Sequence, residues 1–365
     1  MRHATPSSPR HAGSSPASSA EPLSVARSSL GPGLDGILVV DKPAGPTSHD
    51  LVALIRRLAA TRRVGHGGTL DPFAGGVLPI FLGHATRVVE YHLGDTKRYR
   101  ATVCFGGSST TDDLEGEITP SDGAAPTRDA VEAGLAAMVG VVSQRPPAYS
   151  AIKVGGRRAY AMARAGETVV LAERQVTLHE LALTDWDATD PERPIAIVDV
   201  RCSAGTYVRA IARDLGESLG SAAYIGALMR TASGPFGLAA AVPLDDIRAA
   251  AADGPEGLAA ILRPIDDGLD AFPSIVLTET ELAAVARGQY VRPAAGLPSP
   301  AEHYRLRGPD GTLAAIATAD GTRLAPDKVF VSPAPATAPR AATPAPATAP
   351  ADPAGTPPAP AGTPG

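Results

Sequence analysis

Residues 63–76 read RVGHGGTLDPFAGG and are the densest local signal in the chain. The five glycines of this stretch allow positive φ values and a close approach of the backbone to a ligand. It contains one imidazole, His66, and one carboxylate, Asp71, which Pro72 biases toward an extended conformation. Such a segment suits a catalytic loop, and it also suits an Asx-type turn without chemistry, because Asp-Pro turns are common.

The stretch does not match the known glycine-rich motifs. It lacks the Gly-Lys-Ser/Thr ending of a phosphate-binding loop and the spacing of a dinucleotide-binding fingerprint. No second His or Cys stands at metal-ligand spacing from His66, so a metal centre is not expected.

Outward from this stretch, short strands and helices follow one another without a regular βαβ rhythm. Apolar or alternating runs predict strands at 36–41, 99–105, 195–202, 274–277, 304–306, 313–317 and 328–331. Helical spacing predicts helices at 49–60, 207–219 and 279–287, the first capped by Thr47 or Ser48. The pattern favours an α+β fold with a mixed or antiparallel sheet, followed after Pro273 by a small β-rich module.

Composition limits the class of protein. Hydrophobic residues make up 44% of the 365, which is enough for a sizeable core, and two cysteines cannot build a disulfide framework. No run approaches the ~18 apolar residues of a membrane span, and no secretory signal is recognisable, so a cytoplasmic protein is expected. Residues 1–33 and 333–365 are poor in large apolar side chains and are expected to be disordered tails.

The net charge of −5 argues against a nucleic-acid binder, but the charge is unevenly spread. Residues 42–100 carry nine basic and four acidic side chains, whereas residues 240–282 carry two basic and nine acidic ones. Because local clusters attract a polyanion, a nucleic-acid partner stays open beside an ordinary solvated surface.

Two further segments place cations at unusual positions. In KRYR (97–100) the ring of Tyr99 is flanked by cations, as where a base stacks beside phosphates, or as on a charged edge strand. In CSAGTYVR (202–209) Arg209 lies near a predicted helix start, where the helix dipole disfavours a cation. Such an Arg often has a specific anionic partner, such as a buried carboxylate, and otherwise is a surface residue.

Together these segments resemble the TruB family of bacterial tRNA pseudouridine-55 synthases. The matching motifs are GILVVDKP (36–43), GHGGTLDPFAGGVLP (65–79), KRYR (97–100), RPPAYSAIK (145–153), SAGTYVR (203–209) and LMRT (228–231). The resemblance runs from about residue 36 to 332. The sequence departs from the family pattern at Gly67, where Thr is usual, and at Thr110, where Asp is more frequent; neither is a catalytic position.

The resemblance implies a pseudouridine synthase fold, with a mixed, mainly antiparallel sheet flanked by helices. The implied division is a disordered tail (1–33), a catalytic domain (34–247), a connector (248–272), a small β-rich PUA-like RNA-binding domain (273–332) and a second disordered tail (333–365). The implied reaction breaks the N1–C1′ bond of the T-loop uridine, U55, in tRNA, rotates the base and rejoins it through C5. It requires no cofactor and no metal.

By resemblance, Asp71 is the catalytic residue and acts either as a nucleophile at C1′ or as a base at C2′. Tyr99 stacks on the flipped base, and Arg209 pairs with Asp71 and keeps it ionised by lowering its pKa. The other implied site residues line the pocket, support its floor or fill the RNA stack: Tyr207 and Leu228, Lys42, and His66.

The implied partner is the T-arm of tRNA, bound by a cytoplasmic monomer with no membrane contact. The target base must flip out of the folded arm, and basic segments at 56–63, 97–100 and 145–164 are expected to hold phosphates. Two alternatives stay open: a non-catalytic tRNA-binding or folding chaperone, and a pseudouridine synthase that acts on another RNA.

Overall fold

The computed structural model describes residues 33–150, 152–167, 171–293 and 296–332, so the two predicted tails lie outside the described residues apart from Gly33. In chain order the strands are β1 (Gly36–Lys42), β2 (Val64–His66), β3 (Gly75–Leu82), β4 (Lys97–Phe105), β5 (Gly107–Ser109), β6 (Ile118–Pro120), β7 (Gly140–Gln144), β8 (Lys153–Val154), β9 (Arg157–Arg158), β10 (Arg174–Asp187), β11 (Ile195–Cys202), β12 (Ala223–Ser233), β13 (Phe236–Gly237), β14 (Val242–Pro243), β15 (Ser274–Val276), β16 (Tyr304–Arg307), β17 (Leu313–Asp320) and β18 (Arg323–Val329). The α-helices are α1 (Ser48–Leu58), α2 (Val89–Leu93), α3 (Arg128–Met138), α4 (Ala159–Arg164), α5 (Val208–Ser218), α6 (Leu244–Ala252), α7 (Gly254–Ala260) and α8 (Glu279–Ala286). Among the described residues, every helix is too short or too polar to span a bilayer.

One large sheet forms the body of the molecule. Its strands follow the order β14-β1-β3-β12-β4-β11-β10-β7, with β2 added beside β3 and β13 beside β12. β1 runs parallel to β14 and β3 parallel to β12, whereas the other neighbours are antiparallel. The predicted α+β class with a mixed, mainly antiparallel sheet is therefore confirmed.

The first strand is buried on both faces of this sheet. Leu38 and Val40 point into the main core, while Ile37 and Val39 belong to a second cluster on the opposite face. A strand covered on both sides needs an unbroken apolar run rather than alternation, which is what residues 37–40 provide.

The first helix begins where the sequence signals it. Thr47 is the N-cap, and together with Asp50 it forms a capping box, in which each side chain bonds the other residue's backbone N–H. The helix then buries Leu51, Val52 and Ile55 against the sheet. This packing fixes the segment that leads from β1 toward the glycine-rich stretch.

The charged segment around Tyr99 lies in the middle of the sheet. β4 pairs with β12 on one side and with β11 on the other, so the interpretation of residues 97–100 as a charged edge strand is wrong. Side chains alternate along β4: Tyr99 is buried, whereas Arg98 and Arg100 are exposed on the other face. Arg100 there pairs with Asp199 of the neighbouring strand at 2.8 Å.

A second sheet in the order β15-β16-β17-β18, with α8, forms a small module. β18 starts at Arg323, five residues before the predicted strand. The module docks on the body through ion pairs from Arg305 and Arg307 to the buried Asp266. The cluster containing Ile37 and Val39 also includes Ile316 of β17, so apolar packing joins the two parts.

The predicted connector is folded against the body rather than extended. α7 places Leu258 in the main core at 4% exposure, and Ala250, Ala251, Ile261 and Leu262 pack against the same core. Because these side chains are buried by the large sheet, this part of the connector belongs to the packing of the body.

Candidate active site

An open cleft of about 1210 Å³ is lined by residues of β4, of β12 and of the segment that leads from β2 to β3. It gathers six of the seven predicted site residues: His66, Asp71, Tyr99, Tyr207, Arg209 and Leu228. The seventh, Lys42, is fully buried beneath the turn that carries Asp71. The structure therefore brings together residues that are up to 186 positions apart, from Lys42 to Leu228.

Asp71 lies in a turn between β2 and β3 that two buried side chains hold in place. Ser48 Oγ donates to Leu70 O and accepts from Leu70 N, at 3.1 and 2.9 Å. Lys42 Nζ donates to the carbonyl oxygens of Pro72 (3.1 Å) and Ala74 (2.6 Å). Asp71 is thus flanked on both sides by anchored backbone. Burial lowers the pKa of Lys42 to about 8.

Arg209 lies at the start of α5, between two carboxylates. Its Nε is 3.0 Å from Asp71 Oδ2, and its Nη1 is 3.1 Å from Asp113 Oδ2. The same guanidinium donates to Thr111 O and Tyr149 O, at 2.9 and 3.0 Å. A planar group with five N–H donors can contact two carboxylates and two carbonyls at once. These four contacts explain why an Arg is found at a helix start, where the helix dipole disfavours its charge.

The pKa of Asp71 is shifted in the opposite direction to the expectation drawn from the sequence. Burial raises the pKa of Asp71, and Arg209 opposes that shift without reversing it. The neighbouring Asp113 raises the pKa further. The expectation that Arg209 holds the pKa of Asp71 below its usual value is therefore wrong, because desolvation outweighs the ion pair. The Asp71 side chain keeps 32% exposure, toward the cleft.

Tyr99 and Leu228 form an apolar wall beside this carboxylate. Tyr99 is 9% exposed and Leu228 is 8% exposed, and both line the cleft from neighbouring strands. Burial raises the pKa of the Tyr99 hydroxyl. A flat ring and an aliphatic side chain on adjacent strands offer a slot for a planar base.

His66 and Tyr207 lie at other parts of the cleft wall. Burial lowers the pKa of His66, and the charge of Arg230 adds to that shift, so the imidazole is neutral at pH 7. The Arg174 guanidinium lies 4.5 Å from the centre of the Tyr207 ring. Gln144 holds the Tyr207 backbone by accepting from its N and donating to its O.

Asp113 and Arg230 also line the cleft and were not predicted as site residues from the sequence. Asp113, the second partner of Arg209, lies in a turn whose consecutive acids, Asp112 and Asp113, were the only available signal. Arg230 lies in the LMRT motif and is 1% exposed at the cleft floor. Among the described residues, no group of three or more His, Cys, Asp and Glu side chains has the geometry to hold a metal ion.

Residues 56–208 match the family model "TruB family pseudouridylate synthase (N terminal domain)". Residues 209–270 match the model "tRNA pseudouridylate synthase B C-terminal domain". The chain belongs to the TruB family of pseudouridylate synthases. The predicted family and the predicted pseudouridine synthase activity are confirmed.

Two curated relatives of this chain share the name tRNA pseudouridine synthase B. The tRNA pseudouridine synthase B of Bradyrhizobium diazoefficiens is 46% identical over 259 residues, which cover 70% of this chain and 74% of the relative. That of Thermobifida fusca is 46% identical over 291 residues, covering 78% and 94%. Among solved structures, a chain of a Cbf5-Nop10-Gar1 complex aligns with a TM-score of 0.63 at 25% identity, covering 82% of this chain and 86% of that one. The pseudouridine synthase fold predicted from the sequence is thus confirmed.

Proposed function

We propose that this TruB-family member converts the T-loop uridine of tRNA, U55, into pseudouridine, with Asp71 as the catalytic carboxylate. The observation that carries the proposal is the position of Asp71. Arg209 forms ion pairs with both Asp71 and Asp113, and of the two carboxylates Asp71 is the more exposed to the cleft. Asp71 and Tyr99 line the same cleft. The name tRNA pseudouridine synthase B, shared by the relatives, supports tRNA as the substrate.

The reaction exchanges one bond to the ribose for another. The N1–C1′ bond breaks, a C5–C1′ bond forms, C5 loses its proton and N1 gains one. Asp71 acts at the ribose, by attack at C1′ or by removal of the C2′ proton, and either role requires the ionised carboxylate. Tyr99 and Leu228 retain the detached uracil while it rotates, and Arg209 fixes the carboxylate.

The target base has to leave the T-arm to reach this cleft. Base flipping costs a few kcal/mol, which stacking on Tyr99 and occupancy of the vacated stack by His66 offset. Tyr207 completes the pocket wall and Lys42 supports its floor. The basic segments at 56–63 and 145–164 contact phosphates, which makes tRNA binding weaker as salt rises. Segment 97–100 does not take part, because Lys97 is buried and Arg98 and Arg100 point to the sheet face opposite Tyr99.

The organisation of the chain follows the same proposal. Residues 34–247 with the connector 248–272 form the catalytic unit, and the PUA-like module 273–332 contributes a second RNA-binding surface. The protein acts as a cytoplasmic monomer on the T-arm, without a cofactor.

Tritium release from [5-³H]uridine-labelled RNA tests the assignment, because the C5 proton is lost only if the base is reattached. We expect release from full tRNA and from a T-arm minihelix, and a loss of at least about 10³-fold for Asp71→Asn with tRNA affinity retained. Asp245→Asn, an exposed residue of α6, is the control. Release that survives Asp71→Asn contradicts the catalytic role.

Two other outcomes separate the alternatives. A wild-type protein that binds the T-arm without releasing tritium is a chaperone rather than an enzyme. Pseudouridine mapping of total RNA after gene deletion gives the target: loss of the T-loop mark supports the proposal, whereas loss of ribosomal marks alone contradicts it.

A further inference from the structure

Arg230 is a buried cation whose partners are unusual for an arginine. Its side chain is almost fully enclosed, and it lies on β12 at the cleft floor. In the described part of the chain its hydrogen bonds go to backbone carbonyls: Nε to Val77 O (2.7 Å), Nη2 to Gly68 O (3.1 Å) and Nη1 to Thr69 O (3.3 Å). Moving a charge out of water costs free energy, and the hydrogen bonds to these carbonyls offset part of that cost for Arg230.

The three carbonyls lie on both sides of the catalytic turn. Gly68 and Thr69 precede Asp71, and Val77 follows it on β3. The guanidinium therefore bridges the two arms of the turn. Lys42 and Ser48 contact residues nearer the tip of the turn, so Arg230 supplies the brace at its base.

Arg230 also faces Tyr99. The two residues lie directly opposite each other in the antiparallel pairing of β12 with β4, so their side chains share one face of the sheet. Arg230 lowers the pKa of the Tyr99 hydroxyl through its charge and through hydrogen bonding, against the larger effect of burial. An arginine has five N–H donors and no acceptor. Toward Arg230 the phenolic oxygen can therefore act only as an acceptor, which leaves the phenolic O–H free to donate elsewhere.

We propose that Arg230 is a positioning residue that ties the Asp71 turn to Tyr99 and directs the Tyr99 hydroxyl proton into the cleft, toward the polar edge of the flipped uracil. The inference rests on the proposed function, since it needs a base stacked on Tyr99. The three carbonyls take three of the five donors, which leaves two for the Tyr99 hydroxyl. Lysine has three donors and no planar fork, so it cannot reproduce this arrangement.

A double-mutant cycle tests the proposal with the full-length protein and tRNA. Single-turnover pseudouridine formation and the Kd for tRNA are measured for wild type, Arg230→Lys, Tyr99→Phe and the double variant. We expect each single variant to lose at least about tenfold in rate, while the Kd changes by less than about threefold. The double variant should be within about threefold of the slower single variant, because the two residues act as one unit.

The control is Arg248→Lys, an exposed arginine of α6 that pairs with Asp245 and lies outside the cleft. Its single-turnover rate at saturating enzyme should equal that of wild type. The proposal is overturned if Arg230→Lys keeps the wild-type rate, if the losses of the two single variants multiply in the double variant, or if the Kd weakens as much as the rate.

Folding and the proposed function are controlled separately. If circular dichroism shows that Arg230→Lys and Arg230→Gln do not fold, Tyr99→Phe alone decides, since it removes one oxygen and keeps the ring; a rate equal to that of wild type overturns the proposal. A wild-type protein that forms no pseudouridine refutes the proposed function instead. Normal wild-type activity with multiplying losses refutes the role of Arg230 alone.

Discussion

Gly76→Ala tests whether the contact between β3 and β12 sets the rate of the reaction. Gly76 has φ +97°, in the left-handed half of the map, and pairs with Arg230 across the parallel junction of the two strands. A Cβ at this position would overlap the Arg230 carbonyl oxygen and lie 3.0 Å from Arg230 N and C. All of these are backbone atoms, so no side chain can turn away to make room.

The expected cost has two parts. An L-residue at positive φ costs about 1–2 kcal/mol, and the overlap adds about 1–3 kcal/mol, so we expect a loss of about 2–5 kcal/mol in the free energy of unfolding. To relieve the overlap the strands must separate by roughly 1 Å. Such a shift moves Leu228 and Arg230 relative to Asp71, and a misplacement of about 1 Å costs about 10²-fold in rate.

Chemical unfolding and single-turnover tritium release measure the two effects. Gly311→Ala is the matched control, because Gly311 has φ +81° in a turn of the small module with open space where its Cβ would be. It should lose about 1–2 kcal/mol of stability without a change in rate. If Gly76→Ala behaves like Gly311→Ala in both assays, the close strand contact does not control the geometry of the site.

Two further predictions concern the charges of the site. Because the pKa of Asp71 is raised, the single-turnover rate should fall, as pH is lowered, at a higher pH than for an exposed aspartate, whose pKa is 3.8. Stability should change with pH in the opposite sense, because the folded carboxyl of Asp71 holds its proton more tightly than the unfolded one. Wild type should therefore lose stability relative to Asp71→Asn as pH rises between the unfolded and the folded pKa of Asp71, which thermal melts at several pH values measure. Equal pH profiles of stability for the two proteins would contradict the raised pKa. Asp113→Asn removes one of the two carboxylates on the buried Arg209, so we expect a loss of about 1–3 kcal/mol in unfolding experiments and a slower single turnover, with the exposed Asp245→Asn as control; a stability unchanged from wild type would mean that Asp71 alone neutralises Arg209.

The elements that the sequence predicted well are those with local causes. β1 is an apolar run, α1 starts at a capping box, and β11 alternates over the predicted residues 195–202. β12 carried no such signal, since AYIGALMRTAS mixes small, polar and apolar residues. It becomes a strand through pairing with β4 and β3, which are distant in sequence, and non-local pairing of this kind leaves little local trace.

The same division applies to the site. Asp71 was found because glycines and a proline surround it, and Arg209 because a cation at a helix start needs an anion. Asp113 and Arg230 are ordinary residues in their own segments, and only the fold brings them to the cleft. The pKa of Asp71 was predicted in the wrong direction for a related reason: the pairing with Arg209 could be inferred from residue types, whereas the burial that outweighs it is a property of the assembled cleft.

The buried charges of the cleft explain how an acidic protein suits a polyanion. Lys42, Lys97, Arg209 and Arg230 are at most 5% exposed. Arg209 is matched by Asp71 and Asp113, whereas Lys42, Lys97 and Arg230 donate to carbonyls, which bear only partial charge. The cleft floor is therefore cationic in a low-dielectric setting, where fixed charges act more strongly than on the surface. That field favours the phosphates of the flipped nucleotide and the electron density that the uracil takes with it when the N1–C1′ bond breaks. The net charge of −5 does not oppose RNA binding, because much of the acidity lies in residues 240–282.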